Sequence, residues 1–241
     1  MQLEGNALLA FLSPDERERL EPELHEKHFA LGEYVYQPGA RMQAAFFPRN
    51  CLVSILYVLA DGTSTEMALV GREGMIGVPL IMGGNSTPSC GLVQSAGSGW
   101  MLRADVLQVE FARRGPFSQR LLLYAQALMT QFGQTAVCNR HHTLAQQLCR
   151  WLLLSLDRIG GHRLEMTQEL IANMLGVRRG GVTEAALRLQ ADGLIRYSRG
   201  RIEVLDRAGL EHRCCECYRA VRGEYERLLG PSAGPTGSPS R

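Results

Sequence analysis

Arginines are concentrated in one short stretch of this sequence. Between Arg178 and Arg201 there are six arginines and only two acidic residues, Glu184 and Asp192. A guanidinium group donates two parallel hydrogen bonds to a phosphate or to the O6 and N7 atoms of guanine, and it stays charged at neutral pH. This local excess of positive charge predicts contact with a nucleic acid. The net charge of the whole chain, +2, is uninformative beside it.

The residues around Gly176 have the spacing of a helix-turn-helix. Gly176 takes the turn position, the small Ala172 lies four residues before it and the apolar Val182 lies six residues after it. Alanine allows two helices to cross closely, and glycine tolerates the left-handed backbone of a tight corner. Thr167 is the expected N-cap of the first helix. Buried contacts around the corner are expected from Ile171, Leu175 and Val177.

The second helix of this motif, predicted over residues 178–189, would enter the major groove of double-stranded DNA by its N-terminal end. Guanidinium groups pair with guanine, and a carboxylate accepts a hydrogen bond from the cytosine amino group. Base contacts are therefore assigned to Arg178, Arg179, Thr183 and Glu184. Phosphate contacts are assigned to Thr167, Gln168, Arg199 and Arg201. For each arginine taken alone, an ordinary solvated side chain is the competing interpretation.

The N-terminal part changes from a helical pattern to a strand pattern. Residues 7–31 are predicted to be helical, with a capping box formed by Ser13 and Glu16. From residue 32 to residue 101 the apolar period is two, and Asp61-Gly62 is the clearest hairpin signal. The predicted strands are 34–36, 45–47, 52–58, 65–70, 75–78, 91–95 and 100–103. Many short strands separated by glycine turns predict a small antiparallel barrel or roll.

Residues 104–138 return to helical spacing. Apolar residues recur there in steps of three and four, at Leu122, Ala125, Met129, Phe132 and Ala136. Such a seam predicts pairing with a second copy of the chain as a two-stranded coiled coil, and the competing interpretation is a helix that packs on its own barrel. Residues 139–142 interrupt the pattern and predict a hinge. Further helices are predicted over 143–156 and 207–229, and the Gly-, Pro- and Ser-rich residues 230–241 are predicted to be disordered.

The order of a glycine-rich roll, a long helix, a hinge and a helix-turn-helix with a following hairpin resembles the Crp/Fnr family of bacterial transcription regulators. The resemblance covers about residues 8–215 and is strongest in TQELIANMLGVRRGGVTEAALRLQADGLI, GEYVYQPG and GREGMIG. It implies an α+β fold in three parts. These are an N-terminal antiparallel, cyclic-nucleotide-binding-like β-roll (1–115), a dimerisation helix with its hinge (116–142) and a C-terminal winged helix-turn-helix domain (143–229). It also implies a homodimer. Its two winged helix-turn-helix domains, which we call the heads, would read a two-fold symmetric operator.

Two departures from the family pattern limit what the resemblance transfers. Well-known members carry an acid or a second arginine at the positions of Gly180 and Glu184, so their base preference cannot be copied. Cyclic-nucleotide-binding members hold the sugar and phosphate with a glutamate and an arginine. Here Val78 stands where the glutamate should be, and Pro88 stands in place of the arginine. We therefore expect that the roll does not bind cyclic AMP or cyclic GMP at micromolar concentrations.

The seven cysteines give no clear cofactor signal. Iron–sulfur members of the family carry a cysteine cluster near the N-terminus, and this chain has no cysteine before Cys51. The dense cluster of Cys214, Cys215 and Cys217 with His212 could bind zinc, but it lacks a Cys-x-x-Cys hairpin pair, so buried thiols are favoured. The pair His141-His142 beside Cys138 could bind haem or a metal, but solvated histidines are favoured. No cofactor and no metal site are predicted.

Two classes of function remain open. The first is a homodimeric, sequence-specific DNA-binding transcription regulator, with double-stranded DNA, a second copy, RNA polymerase and an unidentified small-molecule effector as candidate partners. The second is a ligand- or metal-sensing signalling module that acts through a protein partner. An enzyme is not expected, because the sequence has no phosphate-binding P-loop, metalloprotease motif or serine nucleophile elbow. A cytoplasmic location without membrane contact is expected, because no secretion signal or long apolar run is present.

Overall fold

The computed structural model describes residue 3 and residues 5–230, and its first elements correct the N-terminal prediction. Helix α1 spans Pro14–Leu20, and Ser13 and Glu16 form the predicted capping box. A 3-10 turn, Glu21–Glu23, ends it, and His25–Phe29 is strand β1 instead of helix. Pro22 in this turn cannot continue a helix, and β1 pairs with a strand more than seventy residues later. The predicted helix over 7–31 is therefore confirmed only for α1, with short 3-10 turns at Leu9–Phe11 and Glu21–Glu23, and it is wrong elsewhere.

Two antiparallel sheets form the N-terminal roll. The remaining strands are β2 (Tyr34–Tyr36), β3 (Ala44–Pro48), β4 (Leu52–Val58), β5 (Ser64–Val70), β6 (Cys90–Ser95) and β7 (Gly97–Arg103). Their order is β1-β7-β3 in one sheet and β2-β6-β4-β5 in the other. Most of their buried residues belong to one core, and Leu56 and Cys90 form a second, small cluster with Met174. Asp61-Gly62 lies in the β4–β5 hairpin as predicted, with Gly62 at a φ of 84°.

The predicted strand 75–78 is wrong. Only Ile76 makes an isolated bridge, to Phe46, and Val78–Ile81 is a 3-10 turn. Gly77 has a φ of 114° and Pro79 follows it, so the backbone turns away from any neighbouring strand at this point. This segment is thus a short, largely buried apolar turn.

A long helix connects the roll to the C-terminal part. Helix α2 spans Ala104–Ala112, and helix α3 spans Pro116–His141. The inner face of α3 lies on the roll, where the Tyr124 hydroxyl donates to the Met75 carbonyl oxygen at 2.9 Å. The predicted hinge over 139–142 is too long, because the helix continues through residue 141. The break falls at His142, and a capping box at Thr143 starts α4 (Leu144–Ile159).

The C-terminal part contains two short helices, a small sheet and two further helices. Its elements are β8 (Arg163–Glu165), α5 (Gln168–Leu175), α6 (Arg179–Ala191), β9 (Ile195–Ser198), β10 (Arg201–Val204), α7 (Arg207–Arg213) and α8 (Glu216–Leu229). The sheet order is β8-β10-β9. The single helix predicted over 207–229 is wrong, because Cys214 and Cys215 have extended backbone and separate α7 from α8. Helix α8 then packs along α3.

The roll and the C-terminal part share a buried polar contact region. Arg158 of α4 forms an ion pair with Glu73 at 2.8 Å and donates to the Leu69 carbonyl oxygen at 2.9 Å. Trp151 of α4 donates to Glu66 of β5 at 3.4 Å. The two halves are therefore held together by specific hydrogen bonds as well as by apolar packing.

The predicted fold class, α+β with an N-terminal antiparallel roll, a long helix and a C-terminal helix-turn-helix, is confirmed. Residues 231–241 of the predicted disordered tail lie outside the described residues. Within the part of the chain that the structure describes, no helix is long and apolar enough to cross a membrane.

Candidate nucleic-acid interface

The corner between α5 and α6 has the geometry of a helix-turn-helix. Gly176 has φ 64° and ψ 36°, the left-handed conformation that the sequence predicted for it. Thr167 caps α5 by accepting a hydrogen bond from the Leu170 N–H at 3.2 Å. Ala172 and Val182 are buried at the crossing of the two helices. Ile171 and Leu175 are also buried, and Val177 is half-buried.

A polar groove lies between the N-terminal ends of α5 and α6 and the β9–β10 hairpin, which we call the wing. The groove is lined by Thr167, Gln168, Arg179, Tyr197, Ser198, Arg199 and Gly200. The first backbone N–H groups of a helix lack partners within the helix, and they carry the positive end of its dipole. Two helix starts and two arginines on one groove make it suited to an anion such as a phosphate.

Three arginines around this groove carry uncompensated charge. Arg178, Arg179 and Arg199 are exposed, and none of their guanidinium groups has a hydrogen-bond or ion-pair partner among the residues that the structure describes. Arg178 occupies the N-cap position of α6, and Arg179 is its first helical residue. Arg201 differs, because its Nε lies 3.2 Å from Glu165 Oε1, with both side chains 78% exposed. Such an exposed pair is weak and is easily exchanged for a phosphate.

The two other predicted base-contact residues are engaged within the head. The Thr183 hydroxyl lies 2.7 Å from Gln168 Oε1 and 3.1 Å from the Arg179 carbonyl oxygen, so it joins α5 to α6. Glu184 forms an exposed ion pair with Arg188 at 2.5 Å, one helical turn later. Contact of either residue with a base would require it to leave its present partner. Gln168 still has its amide N–H groups available as donors.

The wing is held in place by a tyrosine that sequence reasoning missed. The Tyr197 hydroxyl donates to the Met166 carbonyl oxygen at 3.0 Å, and its backbone N–H donates to Gln190 Oε1 at 2.8 Å. Burial raises the pKa of Tyr197, and the nearby charge of Arg179 partly offsets this rise. At the wing tip, Arg199 and Gly200 both have positive φ, 49° and 76°. This pair of values is typical of a two-residue hairpin turn.

The predicted seam of α3 divides between two faces. Leu122 and Met129 are 54% and 55% exposed, and Ala136 is exposed as well. Phe132 is half-buried, whereas Ala125 is only 6% exposed because it packs inside its own chain. Steps of seven residues keep 122, 129 and 136 on one outer face, and a step of three turns Ala125 inward. Ala125 is therefore not available to a second copy in this arrangement.

Three cysteines and a histidine meet where α3 ends. The ligand atoms of Cys138, His142, Cys215 and Cys217 all lie within 4.8 Å of one another. This set differs from the cluster weighed in the sequence. Cys214 is buried and its sulfur lies 3.9 Å from the Gln146 carbonyl oxygen, and His212 is exposed.

Comparison with known proteins agrees with this architecture. The sequence model of the Crp-like helix-turn-helix domain matches residues 146–213. No curated protein matches the chain. Among solved structures, FixK2 from Bradyrhizobium japonicum is 16% identical over 80% of this chain and 98% of its own, with a TM-score of 0.68. A CRP/FNR-family transcriptional regulator from Thermus thermophilus is 19% identical over 78% and 97%, with a TM-score of 0.60.

A third similar structure is the c-di-GMP-responsive global regulator CLP from Xanthomonas campestris, 16% identical over 78% of this chain and 97% of its own, with a TM-score of 0.62. Residues 146–213 are therefore a Crp-like helix-turn-helix domain. The chain as a whole has the fold of Crp/Fnr-family transcription regulators, which confirms the resemblance seen in the sequence.

Proposed function

We propose that this protein is a sequence-specific, DNA-binding transcription regulator that acts as a homodimer. The observation that carries the proposal is the groove at the start of α5 and α6, which Arg179 and Arg199 line and beside which Arg178 forms the N-cap of α6. None of these three guanidinium groups has a partner among the described residues. Phosphates would occupy the groove, and the arginines at the start of α6 would contact guanine in the major groove. The Crp-like domain at residues 146–213 supports the same assignment.

The dimer half of the proposal rests on the outer face of α3. Leu122, Met129 and Ala136 repeat every seven residues there, and the first two are more than half exposed. A helix face of this kind suits pairing with its own copy across a two-fold axis. Two heads related by such an axis would present their α6 helices to successive major grooves, about 34 Å apart.

A salt-dependent binding assay tests DNA contact. DNA selected from a random library with the purified protein should contain two inverted half-sites about one helical turn apart. Affinity for it should fall steeply with salt, because phosphate contacts release counterions. The double variant Arg178→Ala/Arg179→Ala should lose specific binding. The control Arg222→Ala/Arg227→Ala removes the same charge from α8, where both arginines are paired with glutamates, and should bind as wild type.

The dimer is tested separately by light scattering. Leu122→Glu/Met129→Glu places charge on the proposed seam and should give a monomer. Val109→Glu changes an equally exposed apolar residue of α2, 61% exposed, and should leave the mass unchanged. A monomeric wild-type protein would refute the dimer while leaving the DNA contact to be judged by its own assay.

The proposal includes a roll that does not bind cyclic AMP or cyclic GMP at micromolar concentrations. Val78 is buried in an apolar turn, and the hydroxyl of Ser89, next to Pro88, is hydrogen-bonded to Tyr36 at 2.9 Å. Neither position offers a charge to a cyclic phosphate. Calorimetry with both nucleotides should show no micromolar binding, and the likeness to a c-di-GMP-responsive protein adds that dinucleotide to the panel. Failure to bind any DNA would instead favour a signalling module that acts through a protein partner.

A further inference from the structure

The break between α3 and α4 lies against the break between α7 and α8. Cys138 is in the last turn of α3, and His142 is the residue at which that helix ends. Cys215 is the N-cap of α8, and Cys217 lies in its first turn. The spacing of four between Cys138 and His142 puts both on one side of the helix end. Two chain breaks, about seventy-five residues apart in sequence, thus bring four soft ligand groups together.

The distances within this cluster are those of a tetrahedral metal site. Sγ of Cys138 lies 3.6 Å from Sγ of Cys215, and Sγ of Cys217 lies 3.6 Å from Nδ1 of His142. For zinc–sulfur bonds of about 2.3 Å and zinc–nitrogen bonds of about 2.0–2.1 Å, tetrahedral angles require separations of about 3.8 Å and 3.6 Å respectively. A disulfide between Cys138 and Cys215 would need the sulfurs at about 2.05 Å. These two separations match a shared zinc ion, and the other ligand atoms, all within 4.8 Å of one another, lie close enough to reach it by small side-chain movements.

We propose that Cys138, His142, Cys215 and Cys217 bind one zinc ion, which fastens the end of α3 to the start of α8. Three thiolates and one imidazole form a ligand set that zinc takes in closed, four-coordinate structural sites, whereas calcium and magnesium prefer oxygen ligands. The three cysteines are buried and the histidine is nearly so, which leaves no open position for a substrate.

Neighbouring groups orient the histidine as a ligand. Nε2 of His142 lies 3.3 Å from a Glu216 carboxylate oxygen, and Nδ1 lies 3.6 Å from Sγ of Cys217, so the ring presents Nδ1 to the cluster. A carboxylate behind a ligating imidazole is the usual arrangement in zinc sites. The Gln147 amide donates to the carbonyl oxygens of His142 at 2.9 Å and Cys138 at 3.4 Å, and it holds the backbone of both ligands.

A buried arginine beside the cluster matches its charge. Three thiolates and Zn²⁺ carry a net charge of −1, which a buried site must compensate. Arg150 is 4% exposed, and its Nε has no hydrogen-bond partner among the residues that the structure describes. It lies close enough to Cys138 and Cys217 for its charge to act on them. The positive charge of Arg150 would therefore offset the net charge of the zinc-loaded site.

The test is metal analysis of the full-length, tag-free protein purified under reducing conditions. We expect one zinc per chain by elemental mass spectrometry. We also expect that a mercurial reagent releases it as three thiols react, a readout that needs no mutation. Replacement by Co²⁺ should give the visible bands of tetrahedral cobalt together with near-ultraviolet thiolate charge-transfer absorption. Metal content is measured without DNA, so this test succeeds or fails apart from the DNA-binding assay.

Two pairs of variants distinguish the ligands from their neighbours. Cys215→Ser and His142→Gln should lower zinc retention at least tenfold. Cys214→Ser, adjacent in sequence but outside the ligand set, and Cys90→Ser, a buried thiol of the roll, should retain full zinc. Zinc below one-tenth equivalent in wild-type protein after reconstitution, or equal loss in Cys214→Ser and Cys215→Ser, would overturn the proposal. A metal-free protein with a Cys138–Cys215 disulfide would overturn it in favour of a redox pair.

Discussion

Replacing Glu66 with glutamine should stabilise the protein at alkaline pH. Glu66 is a buried carboxyl group of β5 that accepts hydrogen bonds from Ser54 and Trp151. Burial raises its pKa from 4.5 to about 7, because the surroundings disfavour the charged form more than the hydrogen bonds and the charges of Arg150 and Arg158 favour it. A carboxyl group with a raised pKa in the folded state makes its full contribution to stability below pH 4.5. That contribution is lost as the pH rises towards 7.

The size of this effect follows from the two pKa values. One pKa unit corresponds to about 1.4 kcal/mol, so the shift from 4.5 to about 7 amounts to roughly 3 kcal/mol, of which about 2 kcal/mol falls between pH 5.5 and pH 8. Glutamine keeps an acceptor for Trp151 and carries no charge, so Glu66→Gln should lack this part of the pH dependence. At pH 8 the variant should be more stable than wild type.

Urea unfolding at pH 5.5 and pH 8, followed by tryptophan fluorescence, measures this difference, because Trp151 itself contacts residue 66. The control Glu184→Gln changes an exposed carboxyl group and should keep the wild-type pH dependence. If Glu66→Gln has the same difference in unfolding free energy between the two pH values as wild type, the assignment of a raised pKa to this carboxyl group is wrong.

Three further substitutions test particular contacts. Gly176→Val should destabilise the protein by about 1–3 kcal/mol in urea unfolding, because φ is 64° and a Cβ would lie 2.7 Å from Thr65 Oγ1. Its control, Gly223→Ala in open space on α8, should stabilise by about 1 kcal/mol. Arg199→Asn should reduce the salt dependence of DNA affinity by about one phosphate contact, because the arginine charge is removed. Thermal stability should not fall, because asparagine tolerates the positive φ at this position better than arginine does. Arg158→Ala should cost about 3–5 kcal/mol, because it leaves the largely buried Glu73 carboxylate without its ion-pair partner. An unchanged denaturation midpoint would contradict that.

The features that could be predicted from the sequence are those that depend on residues close together in the chain, such as turns, helix caps and the helix-turn-helix corner. Gly176, Ala172 and Val182 gave the helix-turn-helix corner, because turn geometry and helix crossing depend on residues within ten positions of each other. The hairpin at Asp61-Gly62 and the capping box at Ser13 are of the same kind. The proposed DNA contacts of Arg178, Arg179 and Arg199 follow from this local reasoning, and they remain predictions.

Interactions between distant segments account for what was missed. Strand β1 is polar and alternates poorly, and it is a strand because β7 pairs with it along its whole length. The cysteine cluster was sought among neighbours in sequence, near His212, whereas the fold joins Cys215 and Cys217 to Cys138 and His142. No spacing rule within one segment could find it, because the ligands come from two helix ends.

Helix α3 links the two proposals mechanically. It has 26 residues and is about 39 Å long, with the exposed Leu122 and Met129 on its outer face and Cys138 at its end. The seam would fix the angle at which two α3 helices cross. The metal site would fix the position of each head relative to the end of its α3 helix. Both would set the distance between the two α6 helices, which must match successive major grooves.

Loss of zinc should therefore reduce specific DNA binding much more than non-specific binding. The arginines of the groove and their charge are unchanged by removal of the metal, so the salt-dependent affinity for random DNA should persist. Specific affinity depends on both heads docking at once, and it should fall at least tenfold as the head is freed. Parallel titrations of the selected operator and a scrambled duplex, with zinc-loaded and chelator-treated protein, measure the two affinities. An equal loss of affinity for both duplexes would mean that the metal supports the folding of the protein in general. A change in the spacing of the heads would lower the affinity for the operator alone.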